Sequence, residues 1–132
     1  MSGVPDQLLN KAIQVAKDIL SHEEVMSLGV VADDGNPHVV AVGYEYENGV
    51  LRWQARGYSR HGKYAQVRST ISFLIVGAAE DSSISGQVQA KLDSRDEEFI
   101  SFSGTVEELF VRLPSEYHQE YTDAVRLTPD DL

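Results

Sequence analysis

His38-Val39-Val40-Ala41-Val42-Gly43-Tyr44-Glu45-Tyr46-Glu47-Asn48-Gly49-Val50-Leu51-Arg52-Trp53-Gln54-Ala55 is the stretch on which the fold turns. Residues 38–46 are rich in β-branched and aromatic side chains and read as one continuous strand. Asn48-Gly49 is the strongest hairpin signal in the chain, because both central turn positions must tolerate positive φ. Val50 to Ala55 then returns as the next strand, carrying the single Trp of the sequence. Strands joined by so short a turn run antiparallel.

Working outward, Asp33-Asp34-Gly35-Asn36-Pro37 is a turn. Before it, Met26, Leu28, Val30 and Ala32 alternate with Ser27, Gly29 and Val31, as a half-buried strand requires. Further upstream, Leu8, Leu9, Ala12, Ile13, Ala16, Ile19 and Leu20 recur at helical spacing, opposite Lys11, Gln14, Lys17 and Asp18. Pro5 and Asp6 suit the first turn of that helix. Downstream, residues 59–69 read as a short helix. Ile71 to Val76, apolar except at Ser72, reads as a central strand covered on both faces. Residues 77–85 form a small-residue loop. Gly86 to Leu92 and Glu98 to Leu109 are extended, joined through Asp93-Ser94-Arg95-Asp96. Pro114 to Tyr121 holds a helical turn, and Ala124 to Leu127 is a last short strand stopped by Pro129. About six short strands and two helical pieces predict a mainly β fold, an antiparallel barrel with flanking helices. Closing the sheet hides edges that short strands would otherwise expose.

The 132 residues predict one domain spanning 1–132, long enough to bury a core. With no cysteine, disulfides, thiolate metal sites and a Cys nucleophile are excluded. Apolar runs are too short to span a membrane, and the first residues lack the regions of a signal peptide, so a soluble cytoplasmic protein is expected. A net charge of −10 disfavours nucleic acid as a partner. No glycine-rich nucleotide fingerprint or Walker loop occurs. His22, His38, His61 and His118 form no ligand-spaced pair, so no metal site is expected. Adjacent acids such as Glu23-Glu24, Asp96-Glu97 and Glu107-Glu108 point to opposite faces and read as solvated charge. No side chain stands out as a general acid or base, which leaves the catalytic residues unassigned.

One stretch departs from this acidic background. From Asn48 to Ala79 the chain carries Arg52, Arg56, Arg60, Lys63 and Arg68 and no acid, leaving the other six Lys and Arg to face all 21 Asp and Glu. The strand ending at Ala55 runs through Arg56-Gly57-Tyr58 into Ser59-Arg60-His61-Gly62-Lys63 at the start of the predicted helix. Free backbone N–H groups, a hydroxyl and cations at a helix start suit a phosphate; a solvated basic helix face is the alternative. Trp53, on the strand just before this turn, is either a core residue or a wall for a bound ring system.

The order of these elements resembles the FMN-binding split-barrel proteins related to pyridoxamine 5'-phosphate oxidase. The likeness is carried by residues 34–42 (DGNPHVVAV), by Asn48-Gly49-Val50-Leu51-Arg52-Trp53, and by Ser59-Arg60-His61 with Ile71-Ser72-Phe73 following. Phe102-Ser103-Gly104-Thr105-Val106-Glu107 is similar to the family's later strand. The resemblance implies a six-stranded antiparallel split barrel and a homodimer with FMN at the subunit interface. It places the phosphate at Ser59, Arg60 and His61, with Lys63 adding charge. The isoalloxazine ring would lie along His38, Val39, Val40, Ala41 and Val42 and along Trp53, Gln54 and Ala55. The implied function is FMN binding, as a flavin-dependent oxidoreductase acting on a small molecule. A non-catalytic flavin-binding module and a haem- or deazaflavin-binding relative are the alternatives. Departures are equally specific. His61 stands where the family has Lys after Ser-Arg. His38 and Gly43 stand where true oxidases carry Arg and Lys, and no C-terminal substrate segment precedes Leu132. Oxidation of vitamin B6 is therefore not expected.

Overall fold

Asn48 and Gly49 take φ of +50° and +80°, the left-handed angles of a two-residue hairpin turn, and Glu47 faces Val50 across it. This computed structural model of the chain describes residues 5–31, 35–56, 70–78, 82–117 and 124–132. Helix α1, Asp6–His22, opens on Pro5 and buries Leu8, Ala12, Val15, Ala16, Ile19 and Leu20 along one stripe. Strands follow as β1 Val25–Val31, β2 Pro37–Gly43, β3 Glu45–Glu47, β4 Val50–Arg56, β5 Thr70–Val76, β6 Ser83–Arg95, β7 Phe99–Arg112 and β8 Val125–Leu127. All pairings are antiparallel, in the order β2-β1-β5-β6-β7-β4-β3, with β8 on β7.

The sheet thus has eight strands among the described residues where the sequence predicts about six. Part of the difference lies at Tyr44. The predicted strand 38–46 divides there, and its two halves pair at opposite ends of the sheet, β2 with β1 and β3 with β4. Tyr44 is held at this corner by the end of α1. Its N–H donates to the Glu24 carbonyl (3.0 Å), and its hydroxyl lies 3.1 and 3.2 Å from the Ile19 and Leu20 carbonyls. Those carbonyls belong to the last helical turn, where Ile19 also accepts the N–H of the C-cap residue Glu23 at 3.1 Å. Dividing the strand brings the sheet's two ends together, so that β2 and β4 approach across a seam. The result is a split barrel filled by Met26, Leu28, Trp53, Ile71, Phe73, Ile75, Phe102 and their neighbours.

Three other expectations shift. The Ile71–Val76 run does lie in the middle of the sheet, but it is not covered on both faces. Ile71, Phe73 and Ile75 are buried, whereas Leu74 and Val76 are 41% and 63% exposed. No element among the described residues of this chain covers their side. The loop after β5 is shorter than predicted, because β6 begins at Ser83. The β6–β7 turn also falls later, at Asp96. Asp93 is accommodated as an irregularity between Leu92 and Ser94, with its carboxylate accepting from Ser103 Oγ at 3.0 Å, and pairing continues to Arg95. Asp96 Oδ1 then accepts the Phe99 and Glu98 N–H groups at 2.7 and 2.8 Å. These bonds, Phe99 foremost, hold its carboxyl below the ordinary range. The predicted helix at 59–69 lies outside the described residues. Ser115–Tyr117 forms one 3-10 turn, and Pro129 starts another after β8. No helix among the described residues is long and apolar enough to cross a membrane.

Candidate functional site

The seam between the β2–β3 corner and β4 opens into a cavity of about 830 Å³, within the range of small-molecule sites. Glu24, Gly43, Tyr44 and Glu45 form one side, and Arg52, Trp53 and Gln54 of β4 form another. Asp93, Phe99, Ser101 and Phe102 of the β6–β7 hairpin complete it. Strand pairing dictates this set. Trp53 lies opposite Phe102, Gln54 opposite Ser101 and Arg56 opposite Phe99. Consequently the Trp53 and Phe102 rings stack at 5.7 Å with 19° between planes. Gln54 Nε2 donates to Ser101 Oγ at 3.3 Å, and the Arg56 guanidinium lies 5.3 Å from the Phe99 ring centre.

One polar atom in this wall is unsatisfied. Trp53 is 3% exposed, and its Nε1 has no hydrogen-bond partner among the described residues. An unmade bond to a buried donor costs about 1–3 kcal/mol. Tyr44, by contrast, spends its hydroxyl on α1, and burial, with a smaller effect from Glu23, pushes its pKa up to about 12. It is a neutral phenol near pH 7. A second hollow of about 610 Å³ lies between α1 and Ser115-Glu116. Its lining includes the exposed Asp18 and His22, and His22 Nδ1 is bonded at 2.9 Å to the Asp18 carbonyl oxygen. No cluster of three metal-ligating side chains occurs among the described residues.

Strand alternation sorts the residues selected from the sequence. On β2, His38, Val40 and Val42 share a face with the buried Leu28, Met26 and Val30 opposite them, while Val39 and Ala41 face outward. On β4, Trp53 and Ala55 are buried and Gln54 is exposed. Of these, Trp53 and Gln54 line the seam cavity. Ser59, Arg60, His61 and Lys63 lie outside the described residues, directly beyond the end of β4. Sequence reasoning missed Tyr44, Phe99, Ser101 and Phe102 as lining residues. A signal for Phe102 was present in Gly104, two positions on. A Cβ at Gly104 would lie 2.7 and 2.8 Å from Val88 Cγ2 and Cβ and 3.2 Å from Trp53 Cζ3, so the glycine leaves room for Val88 first and for the Trp53 ring beside it.

The outward face across β2, β1, β5 and the start of β6 has a different character. The paired positions there include Val39, Ala41, Val25, Val31, Leu74, Val76, Ser83 and Ser85, and none is charged.

No protein-family profile matches the chain, and no curated protein is significantly similar to it. Solved structures do match. A Clostridium acetobutylicum protein related to general stress protein 26 of B. subtilis, of the pyridoxinephosphate oxidase family, has a TM-score of 0.71 at 8% identity, covering 97% of this chain and 99% of that one. A haem-binding protein from Mycobacterium smegmatis has a TM-score of 0.72 at 15% identity and covers 97% of this chain, which spans 60% of its length. An FAD-binding protein from Mesorhizobium loti has a TM-score of 0.62 at 16% identity, covering 74% of this chain and 91% of that one. At such identities the likeness is one of architecture, and by its strand order, its seam and these matches the chain has the split-barrel fold of the pyridoxamine 5'-phosphate oxidase-like proteins.

Proposed function

We propose that this chain binds FMN and works as a flavin-dependent oxidoreductase on a small molecule, as a homodimer. The observation that carries the reading is the course of β4. Its Trp53-Gln54 segment walls the seam cavity, and its end leads directly into the acid-free stretch holding Ser59, Arg60, His61 and Lys63. A ligand with a planar ring at one end and a phosphate at the other matches that succession. The fit is supported by the stacked aromatic pair of Trp53 and Phe102 in the cavity lining. When bound, FMN supplies the redox chemistry; the residues of this chain hold the ring, bind the phosphate and exclude water.

The second copy is proposed from the uncharged outward face. Val39, at 68% exposure, Leu74 and Val76 lie on it, in a chain that is 24% charged overall. An uncharged sheet face with exposed valines and a leucine suits an interaction surface, and a homodimer is the commonest way to cover one.

The test is the absorption spectrum of the protein purified without added cofactor, followed by FMN titration. Arg60→Ala is expected to weaken FMN by about 1.5–3 kcal/mol, the scale of a charged hydrogen bond, and to leave riboflavin almost unaffected. Lys63→Ala should act in the same direction and less strongly, and Lys11→Ala, on α1, should not act at all. Equal FMN binding by Arg60→Ala, or equal loss of riboflavin, makes the basic stretch a solvated face.

A further inference from the structure

We infer that the seam cavity takes an organic cation, a small amine, as the molecule that meets the flavin. The inference rests on the FMN reading above for the role of that molecule and adds its chemical class. Among the described residues lining the cavity, Glu24, Glu45 and Asp93 are carboxylates and Arg52 is the one cation, and all four are exposed. That cation is matched by the chain itself. Arg52 lies opposite Glu45 across the β3–β4 pair, and its guanidinium is 4.0 Å from the Glu47 carboxylate. The cavity is left with a surplus of negative charge.

Strand register places these charges. Arg52 pairs with Glu45 on one side and with Ser103 on the other, and the Ser103 hydroxyl donates to Asp93 at 3.0 Å. Glu45 and Asp93 thus lie at the Arg52 level of β4, one to each side of it. Glu24 comes to the same end through the Tyr44 corner, where its carbonyl accepts the Tyr44 N–H. Lys91 also pairs with Ser103, from β6, but does not line the cavity. Arg56, over the Phe99 ring, marks the opposite end, four residues along β4 and about 13 Å away at strand spacing. Beyond it comes the acid-free stretch with Arg60 and Lys63. The cavity is therefore anionic at one end and leads to cations at the other. A phosphate is drawn to the second end and repelled from the first, which is left for a positively charged group. Carboxylates lining a low-dielectric cavity concentrate cations and turn anions away. An ammonium donates to them through charge-assisted hydrogen bonds. An anionic substrate would meet three carboxylates and an arginine already flanked by two acids.

Benzylamine and benzoate share a ring and carry opposite charges at neutral pH, which makes them matched probes. Each is titrated by calorimetry into the protein, with and without FMN, at low salt. Benzylamine is expected to bind about tenfold more tightly than benzoate, a preference that shrinks as salt is added. Combining Glu24→Gln, Glu45→Gln and Asp93→Asn keeps the side-chain shapes and an acceptor for Ser103, and should bring the two affinities within about twofold of each other. Combining Glu107→Gln, Glu116→Gln and Asp130→Asn removes the same charge from exposed positions outside the cavity and should leave the preference as in the parent. Urea unfolding shows whether both variants are folded. Should the first not fold, Glu24→Gln with Glu45→Gln leaves the Asp93–Ser103 bond intact and should still reduce the preference. Benzoate bound as tightly as benzylamine by the parent, or neither bound, overturns the inference, and so does a preference that falls equally in the two triple variants. FMN titration of the same parent protein decides the flavin reading separately. A benzylamine preference in a protein that binds no FMN keeps the cation site and overturns the flavin reading, and with it the amine's role as the flavin's substrate.

Discussion

The hydroxyl of Tyr44 meets the Ile19 and Leu20 carbonyls at the end of α1, 25 and 24 residues away in the chain. One side chain thereby ends a strand, caps a helix and builds one side of the cavity. Tyr44→Phe removes the bonds and keeps the ring, so we expect a loss of about 0.5–1.5 kcal/mol in urea unfolding at neutral pH. The same residue predicts an alkaline limb. Its pKa is about 12 in the folded protein against 10.0 for an ordinary tyrosine. The folded state therefore holds the proton more tightly than the unfolded state does. Its contribution is complete below pH 10 and is lost as pH rises toward 12. Unfolding curves collected across that window should fall more steeply for the parent than for Tyr44→Phe; parallel curves would remove Tyr44 as the cause.

At the scale of elements, the β6–β7 hairpin is the longest ladder of the sheet, and the irregularity between Gln87 and Val88 bends it around the barrel. Gly86 lies just before that bend, opposite Leu109 and Phe73. A Cβ there would run into the Glu108 carbonyl oxygen, which is backbone and cannot rotate away, and would sit 3.1 Å from Phe73 Cε1. Gly86→Ala should cost about 1–3 kcal/mol by overpacking, read as a lower urea midpoint with an unchanged slope. Gly35→Ala tests a different mechanism. Nothing lies within 4 Å of its Cβ position, but its φ is +85°, so its cost should come from backbone strain alone, about 1–2 kcal/mol.

For the whole molecule, barrel closure leaves two unlike outer surfaces. Over β2, β1, β5 and the start of β6 the surface is uncharged, whereas β4 presents Arg52, Gln54 and Arg56 outward. Leu74→Arg places a cation in the middle of the uncharged face without entering the core, because Leu74 is 41% exposed and its neighbours Phe73 and Ile75 fill the interior. The proposed homodimer predicts a dimeric parent and a monomeric Leu74→Arg by light scattering, with urea stability measured on the monomer unchanged within about 0.5 kcal/mol. A parent already monomeric at micromolar concentration would dismiss the homodimer.

What the sequence determined by itself was local. The Asn48-Gly49 turn, the buried stripe of α1, the alternation in β1 and the return strand Val50–Ala55 were all legible, because each depends on side chains within a few residues of one another. The basic stretch after β4 was equally plain as charge. Tertiary structure alone decided the rest. A run at residues 71–76 that is apolar except at Ser72 does not reveal whether one face or both will be covered, since covering depends on elements far away in the chain. The division at Tyr44 depends on a helix end that lies about twenty residues upstream. The cavity is likewise an outcome of register. Phe99, Ser101 and Phe102 join Trp53 and Gln54 only because β7 pairs with β4 at those positions, and a slip of one residue would turn every one of those side chains to the opposite face.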